Sequence, residues 1–466
     1  MSSKESASGP RRRRGAALLL VCCFALAEAS SFLALWWLEG RPGAAAALQA
    51  RRLRLQAQAA EEEAAAVPDA VPPAPLPAGE GPPSAVDLLA DPAHLRRVLH
   101  PYLGFVYDPA VNASPRRRAA GYPPITPHGF YARPGAAPGP GQVDVAFFGG
   151  SMAMLAALEG GAALENALAA APALAGRPVA VRCYALGGYK QPQQLAALTY
   201  LLALGEDVDI AINLDGLNEV SLARAENLPK GVFPFYPRSW DALVQTAVNP
   251  AALRQAGLVA HLRGRRVRLA TVFSGPAARR LSTANLLWRA LDRRFERRLA
   301  AEQGALARLP LGPRGFAAHG PPWSAASDDA LFPELVAHWA RSSRLMAGLA
   351  AARGVRYYHF LQPNQYDPGA KPMGFVEAAA AVDPGTPFAE PVRRAYPLLS
   401  RAGEELRRSG IPFVDLRRVF AGNPEPLYID KCCHVSRRGS EILMRAIGEA
   451  IAADLARPEP ATRSSR

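Results

Sequence analysis

Two kinds of apolar run stand out along the chain. The first occurs at residues 15–38, "GAALLLVCCFALAEASSFLALWWL", and carries a single charged side chain, Glu28. A helix rises about 1.5 Å per residue, so this run is long enough to cross a bilayer core. The second kind starts at Val143. Short, mostly apolar stretches at 143–148, 179–185, 210–214, 355–360 and 411–414, with a further candidate at 267–273, predict strands. Helical periodicity predicts helices at 193–204, 333–352, 391–408 and 440–456. Strands alternating with helices predict an α/β domain whose parallel sheet is covered on both faces. Ligands bind such sheets outside the carboxyl ends of the strands. The stretch between the strands at 210–214 and 355–360 is far longer than one crossover requires. Residues about 222–350 therefore read as a mainly helical insertion serving as a lid, a substrate wall or an oligomer contact. The charges of "LLWRALDRRFERRL" within it read as a solvated helix face.

The flanks of the first run give it a direction. Arginines occupy positions 11–14, and Trp36 and Trp37 stand where an outer aromatic belt would lie. Residues 1–14 are thus expected to be a cytoplasmic basic tail and 15–38 a single-pass signal anchor, with the rest exported from an inner membrane. Glu28 is the discordant residue, costing on the order of 3 kcal/mol if it faced lipid. The alternative is a secreted protein whose signal peptide has its apolar core at 16–25 and an A-x-A site at Ala25-Leu26-Ala27. Residues 39–83 read as a stalk, helical over 41–66 and then Pro-rich, "VPDAVPPAPLPAGEGPP". Residues 84–140 form a lead-in with a helical patch at 88–99, residues 141–456 the main domain, and 457–466 a disordered tail.

Composition narrows the partners. The chain has 466 residues, 49% of them apolar, enough for one large domain or two small ones. Its net charge is +14, almost all from arginine, which with the abundant Ala and Pro fits the coding bias of a GC-rich bacterial genome. No basic stripe interleaved with aromatics appears, so no nucleic-acid partner is expected. Outside the apolar run lie Cys183, Cys432 and Cys433; one disulfide from Cys183 to Cys432 or Cys433 is open. Paired C-x-x-C spacing is missing, and adjacent cysteines usually point apart, so neither a metal nor another cofactor is expected.

The candidate chemistry follows the strands. The first ends in Gly149-Gly150-Ser151, the second in Leu186-Gly187-Gly188-Tyr189, the third in Asp215-Gly216-Leu217-Asn218-Glu219. Near the C-terminal end comes "YIDKCCHVSRRGSEIL", with Asp430 four residues before His434. Taken singly, Ser151 is a helix-capping serine after a tight turn, His434 a structural histidine and Asn218 a loop residue. Together they supply what acyl transfer needs. Ser151 is a nucleophile, His434 a base, and Asp430, if its stretch is helical, an orienting carboxylate one turn away. The Ser151 and Gly188 backbone N–H groups and the Asn218 amide are donors for an oxyanion. Gly149-x-Ser151-x-Ala153 also loosely fits an α/β-hydrolase elbow, but there the acid lies on a separate loop from the histidine.

These residues carry a family resemblance. The order Gly-Gly-Ser, Gly-Gly-Tyr, Gly-x-Asn-Glu and Asp…His resembles the SGNH/GDSL hydrolase superfamily over about residues 143–455. The resemblance implies a flavodoxin-like three-layer α/β/α sandwich with a parallel sheet, and serine esterase chemistry. It assigns Ser151 as block I nucleophile, Gly188 as block II glycine, Asn218 as block III asparagine, and Asp430 with His434 as the block V pair. Three positions depart from the family pattern: Gly150 replaces an aspartate, Glu219 stands where Asp is usual, and three residues instead of two separate Asp430 from His434. The stretches "LGGYKQPQQL" and "NLDGLNEV" look like those of membrane-anchored bacterial members. The expected substrate is an acylated carbohydrate or lipid ester of the cell envelope. An O-acyltransferase using the same site and a non-catalytic envelope scaffold are the alternatives; the oligomeric state is open.

Overall fold

The computed structural model describes residues 10–39, 44–66, 84–89, 91, 97–133, 141–174, 176–248, 250–309, 316–325 and 327–457. The chain divides into two compact units, Met1–Val71 with Gln245–Gly312, and Pro72–Val244 with Pro313–Arg466. In chain order the elements begin with α1 (Pro10–Glu39), α2 (Ala44–Ala66), α3 (Ala85–Leu89), β1 (Arg97–His100), β2 (Gly104–Tyr107) and α4 (Pro115–Ala119). Next come β3 (Val143–Gly149), α5 (Ser151–Ala169), β4 (Val179–Cys183), α6 (Gln193–Ala203), β5 (Ile210–Asp215), α7 (Leu217–Leu222) and α8 (Trp240–Val248). Then follow α9 (Pro250–Phe273), α10 (Ser282–Arg308), α11 (Phe316–His319), α12 (Asp328–Ala352) and β6 (Arg356–Leu361). The last are α13 (Phe375–Ala381), α14 (Ala389–Arg408), β7 (Phe413–Asp415) and α15 (Arg437–Leu455).

The second unit carries five parallel strands in the order β4-β3-β5-β6-β7. Every residue of β3 and β5 is buried. Burial on both faces is why these strands read as nearly continuous apolar runs instead of alternating ones. The chain leaves β3 for β4 on one side and returns past β3 to β5 on the other. That reversal opens a crevice at the carboxyl ends of β3 and β5. The helices form two sets, α5 with α15, and α6 and α14 with α12; right-handed crossovers carry such sets to opposite faces of a sheet. The α5–α15 contact is close because it is built on glycine: a Cβ at Gly160 would stand 2.5 Å from the Ser440 carbonyl oxygen. This contact fixes the helix that begins at Ser151 against the helix that follows His434.

The lead-in differs from its expectation. Of the residues expected to be helical at 88–99, Leu88 and Leu89 end α3, while 97–100 is strand, paired antiparallel with β2. Arg117 and Asp91 form a buried ion pair, with Nη2 to Oδ2 at 2.9 Å. The Tyr189 hydroxyl donates to the Phe105 carbonyl at 2.6 Å, tying β2 to the loop after β4.

The first unit contains α1, α2, α9 and α10. Within α1, Leu19–Leu38 is apolar and long enough to cross a membrane. Glu28 has a partner: its carboxylate accepts the Ser282 N–H at 2.5 Å and the Thr283 N–H at 3.0 Å, together with the Thr283 hydroxyl. It therefore caps the first turn of α10, where free backbone donors and the helix dipole favour a carboxylate. Helix α2, read as part of a stalk, packs in this unit through Arg52, whose guanidinium donates to Asn285 at 2.9 Å and lies 4.8 Å from the centre of the Trp288 ring. The Pro-rich residues 67–83 and the tail residues 458–466 lie outside the described residues. The strand expected at 267–273 is wrong: these residues are the last turns of α9. Val259, Leu262 and Ala270 are buried at helical spacing, so the β-branched window belongs to a longer 3.6-residue period.

Candidate active site

The first strand ends in a turn that only glycine allows. Gly149 has φ +148°, and a Cβ there would stand 2.1 Å from the Leu214 carbonyl oxygen on the neighbouring strand. Gly150 then caps α5, placing Ser151 as its first residue. A Cβ at Gly150 would stand 2.3 Å from Asn218 Nδ2. Glycine at position 150 has a local cause: in this geometry the space beside it is filled by the Asn218 amide.

His434 sits in the loop between β7 and α15, closed by a bridge between Tyr428 and Val435. Its Nε2 lies 2.7 Å from Ser151 Oγ, and its Nδ1 lies 2.5 Å from Asp430 Oδ2. The stretch from Asp430 to His434 is not helical. The helix starts only at Arg437, where the Ser436 side chain caps it. Instead the chain wraps around the aspartate: Oδ1 accepts the backbone N–H of Cys432 at 2.9 Å, Cys433 at 3.1 Å and His434 at 3.2 Å. With three residues between them, Asp430 still reaches the imidazole.

The charges of the pair are set by this wrapping. Burial works hardest against ionising Asp430, but hydrogen bonds from His434 and the loop N–H groups outweigh it and hold the carboxyl below its ordinary range. Burial likewise works against charging His434. Its hydrogen bond to Asp430, with the electrostatic influence of Cys432 and Asp430, prevails over burial and the Arg238 guanidinium, and raises the imidazole above its ordinary value of 6.5.

Three candidate donors accompany Ser151 at this sheet edge. Asn218, in the first turn of α7, donates one amide hydrogen to the Tyr189 carbonyl at 2.8 Å, which fixes its direction and leaves the second hydrogen available. Gly188 has φ +85°, and a Cβ there would meet Arg238 Cδ at 2.6 Å. Neither Ser151 N–H nor Gly188 N–H has an acceptor among the described residues. Ser151, Gly188, Asn218, Asp430 and His434 are therefore brought together at one sheet edge, the arrangement acyl transfer requires. No protein-family model matches the chain, and no curated protein matches it in sequence.

The cysteines do not form the disulfide left open above. Cys183, Cys432 and Cys433 are all free thiols. Cys432 and Cys433 do not point apart, their sulfurs being 3.5 Å from each other.

Several supporting residues escape a reading of the sequence. After β6, Gln365 donates to the Asp430 carbonyl at 2.9 Å, Tyr366 to the Lys431 carbonyl at 2.8 Å, and Asn364 to the Cys432 carbonyl at 3.2 Å. Glu377, paired with Lys371 at 2.6 Å, accepts the N–H groups of Leu427 and Tyr428, each at 2.8 Å. The signal was present: "LQPNQY" puts amides directly after a strand, at the edge where ligands bind. Glu219 fastens the loops after β4 and β5, accepting from Gly216 N–H at 2.8 Å and Gln191 N–H at 3.1 Å. Burial and the Asp215 charge raise its carboxyl to about 8. Buried Lys190 donates to the Pro234 and Tyr236 carbonyls, anchoring the segment that brings Arg238 beside Gly188. Replacing Gln365 by Ala is expected to lower kcat for ester hydrolysis roughly tenfold, with a smaller change in KM, because a loosened loop misplaces both acid and base. Steady-state kinetics at saturating substrate read this directly.

Proposed function

We propose that this chain is a serine esterase of the SGNH/GDSL type, with a flavodoxin-like sandwich as its catalytic domain, that hydrolyses O-acyl esters of cell-envelope glycans or lipids. The observation that carries the reading is the continuous hydrogen-bonded chain from Ser151 Oγ through the His434 ring to Asp430. Ser151 Oγ attacks the ester carbonyl while His434 Nε2 takes its proton. Asp430 holds Nδ1–H and stabilises the imidazolium. The tetrahedral oxyanion is held by the Ser151 and Gly188 N–H groups and the free hydrogen of the Asn218 amide. Collapse expels the alcohol, which leaves with the proton from His434. Water then repeats the sequence on the acyl-enzyme and releases the acid. The N-terminal apolar helix supports a cell-inner-membrane location with this unit outside the cytoplasm, where O-acylated envelope polymers are the substrates at hand.

The test is hydrolysis of a series of aryl esters of increasing acyl length by the full chain in detergent. Turnover is expected for part of the series and its loss in Ser151→Ala; equal rates in the two proteins refute the reading. The same assay gives a pH dependence. His434 acts as a base only when neutral, so kcat/KM falls as pH drops through its raised value. Asp430, Cys432 and Arg238 are the ionisable groups acting on it. The acid limb is expected to have its midpoint above 6.5, and Asp430→Asn to move that midpoint to lower pH.

A further inference from the structure

We propose that Cys432, Cys433 and His434 form a binding site for a thiophilic metal ion, zinc or copper(I), and that the ion inhibits the site by taking His434 from Ser151 and Asp430. The three side chains are consecutive, yet both sulfurs and one ring nitrogen lie within 4.8 Å of one another. The sulfur separation of 3.5 Å is informative. Two Zn–S bonds of about 2.3 Å at a tetrahedral angle hold their sulfurs about 3.8 Å apart, whereas a disulfide requires about 2.0 Å. The thiols are thus close to the spacing of a metal dithiolate and far from that of a disulfide, which between adjacent residues would also have to twist the peptide whose N–H groups hold Asp430.

A second observation points the same way. The Gln362 side chain is buried, and its Nε2 has no hydrogen-bond partner among the described residues. It lies against the Cys433 sulfur. Outer-shell donors to ligand atoms are a usual part of metal sites. Cys432 is half-buried, which gives the ion a way in. On binding, Zn²⁺ displaces the two thiol protons to solvent and takes one lone pair from the neutral imidazole, leaving its fourth position to water. Both nitrogens of His434 are committed, Nδ1 to Asp430 and Nε2 to Ser151. Whichever one binds the ion, a bond needed for proton transfer is lost. The inhibitory part of this inference rests on the hydrolase reading; the metal site does not.

The test uses the full chain in detergent, kept reduced with a phosphine and titrated first with Co²⁺ and then with Zn²⁺. One equivalent of Co²⁺ is expected to bring up a thiolate-to-cobalt charge-transfer band, which Zn²⁺ abolishes. Against a chromophoric chelator, Cys432→Ser and Cys433→Ser are each expected to weaken zinc binding by at least the roughly 10- to 100-fold that outer-shell changes cost. Thermal melts identify a variant that fails to fold; Cys432, the more exposed of the two, gives the variant least exposed to that failure. Zn²⁺ is expected to slow ester hydrolysis by the wild type, chelator to restore it, and Cys432→Ser to lose this sensitivity relative to its own metal-free rate. No band, or wild-type zinc affinity in a folded Cys432→Ser protein, overturns the site. A band without any slowing of hydrolysis overturns the inhibition. If no ester is hydrolysed at all, the hydrolase reading and the inhibition fail together, and the cobalt band still decides the metal site.

Discussion

Replacing His434 by Ala is expected to lower kcat for ester hydrolysis by on the order of 10⁴-fold or more, with little change in KM. Ser151 Oγ is a weak nucleophile at its own pKa, and among the described residues the base within hydrogen-bond reach is His434 Nε2 at 2.7 Å. Among the described residues no other side chain bonds to both Ser151 Oγ and Asp430, so none stands ready to replace it. Asp430→Asn is expected to cost nearly as much, because the amide would present the wrong partner to Nδ1–H and lose the charge that stabilises the imidazolium. The double variant His434→Ala/Asp430→Asn should be little worse than His434→Ala alone, since the two act as a unit. Additive losses would mean that Asp430 acts elsewhere.

Asn218→Ala is expected to reduce kcat by roughly 10²- to 10³-fold, the usual cost of one oxyanion donor in a site shielded from water. The geometry makes this more than an analogy. One amide hydrogen of Asn218 is spent on the Tyr189 carbonyl at 2.8 Å, which locks the direction of the other. Gly150 is the glycine that leaves this amide room. Asn218→Asp should be about as damaging as Asn218→Ala, because it would place an acceptor where a donor is needed. A merely structural role would instead be largely rescued by that near-isosteric change. Measuring kcat and KM for both variants with one ester, together with thermal melts, separates the two roles.

Much of the fold was legible in the sequence because strands covered on both faces must be apolar throughout. β3 and β5 are such strands, and their neighbours in the sheet fall at the expected positions. The reading failed at 267–273, where Val267, Val272 and Phe273 suggest a strand if the window is short. The longer window, from Val259 through Leu262 to Ala270, gives the helical answer that packing enforces. Ser151, Gly188, Asn218 and His434 could be picked out because they follow strand ends or sit in a compact polar motif. The way Asp430 reaches His434 could not. A helix-based argument placed it one turn away, whereas three loop N–H groups gather on Oδ1. Such wrapping depends on backbone torsions that residue types do not encode. The cradle from Asn364, Gln365 and Tyr366 was missed for a different reason: its bonds go to backbone carbonyls of residues about 65 positions away. Glu28 shows the same limit, since its partners Ser282 and Thr283 lie far along the chain.

The central claim is that Ser151 is an activated nucleophile, and covalent capture tests it most directly. The full chain in detergent is treated with a fluorophosphonate, digested, and the adduct located by mass spectrometry. The expected result is one adduct per chain, on the peptide containing Ser151, with labelling lost in Ser151→Ala and strongly slowed in His434→Ala. An unlabelled wild type, or equal labelling of Ser151→Ala, would contradict the assignment of Ser151 as the nucleophile.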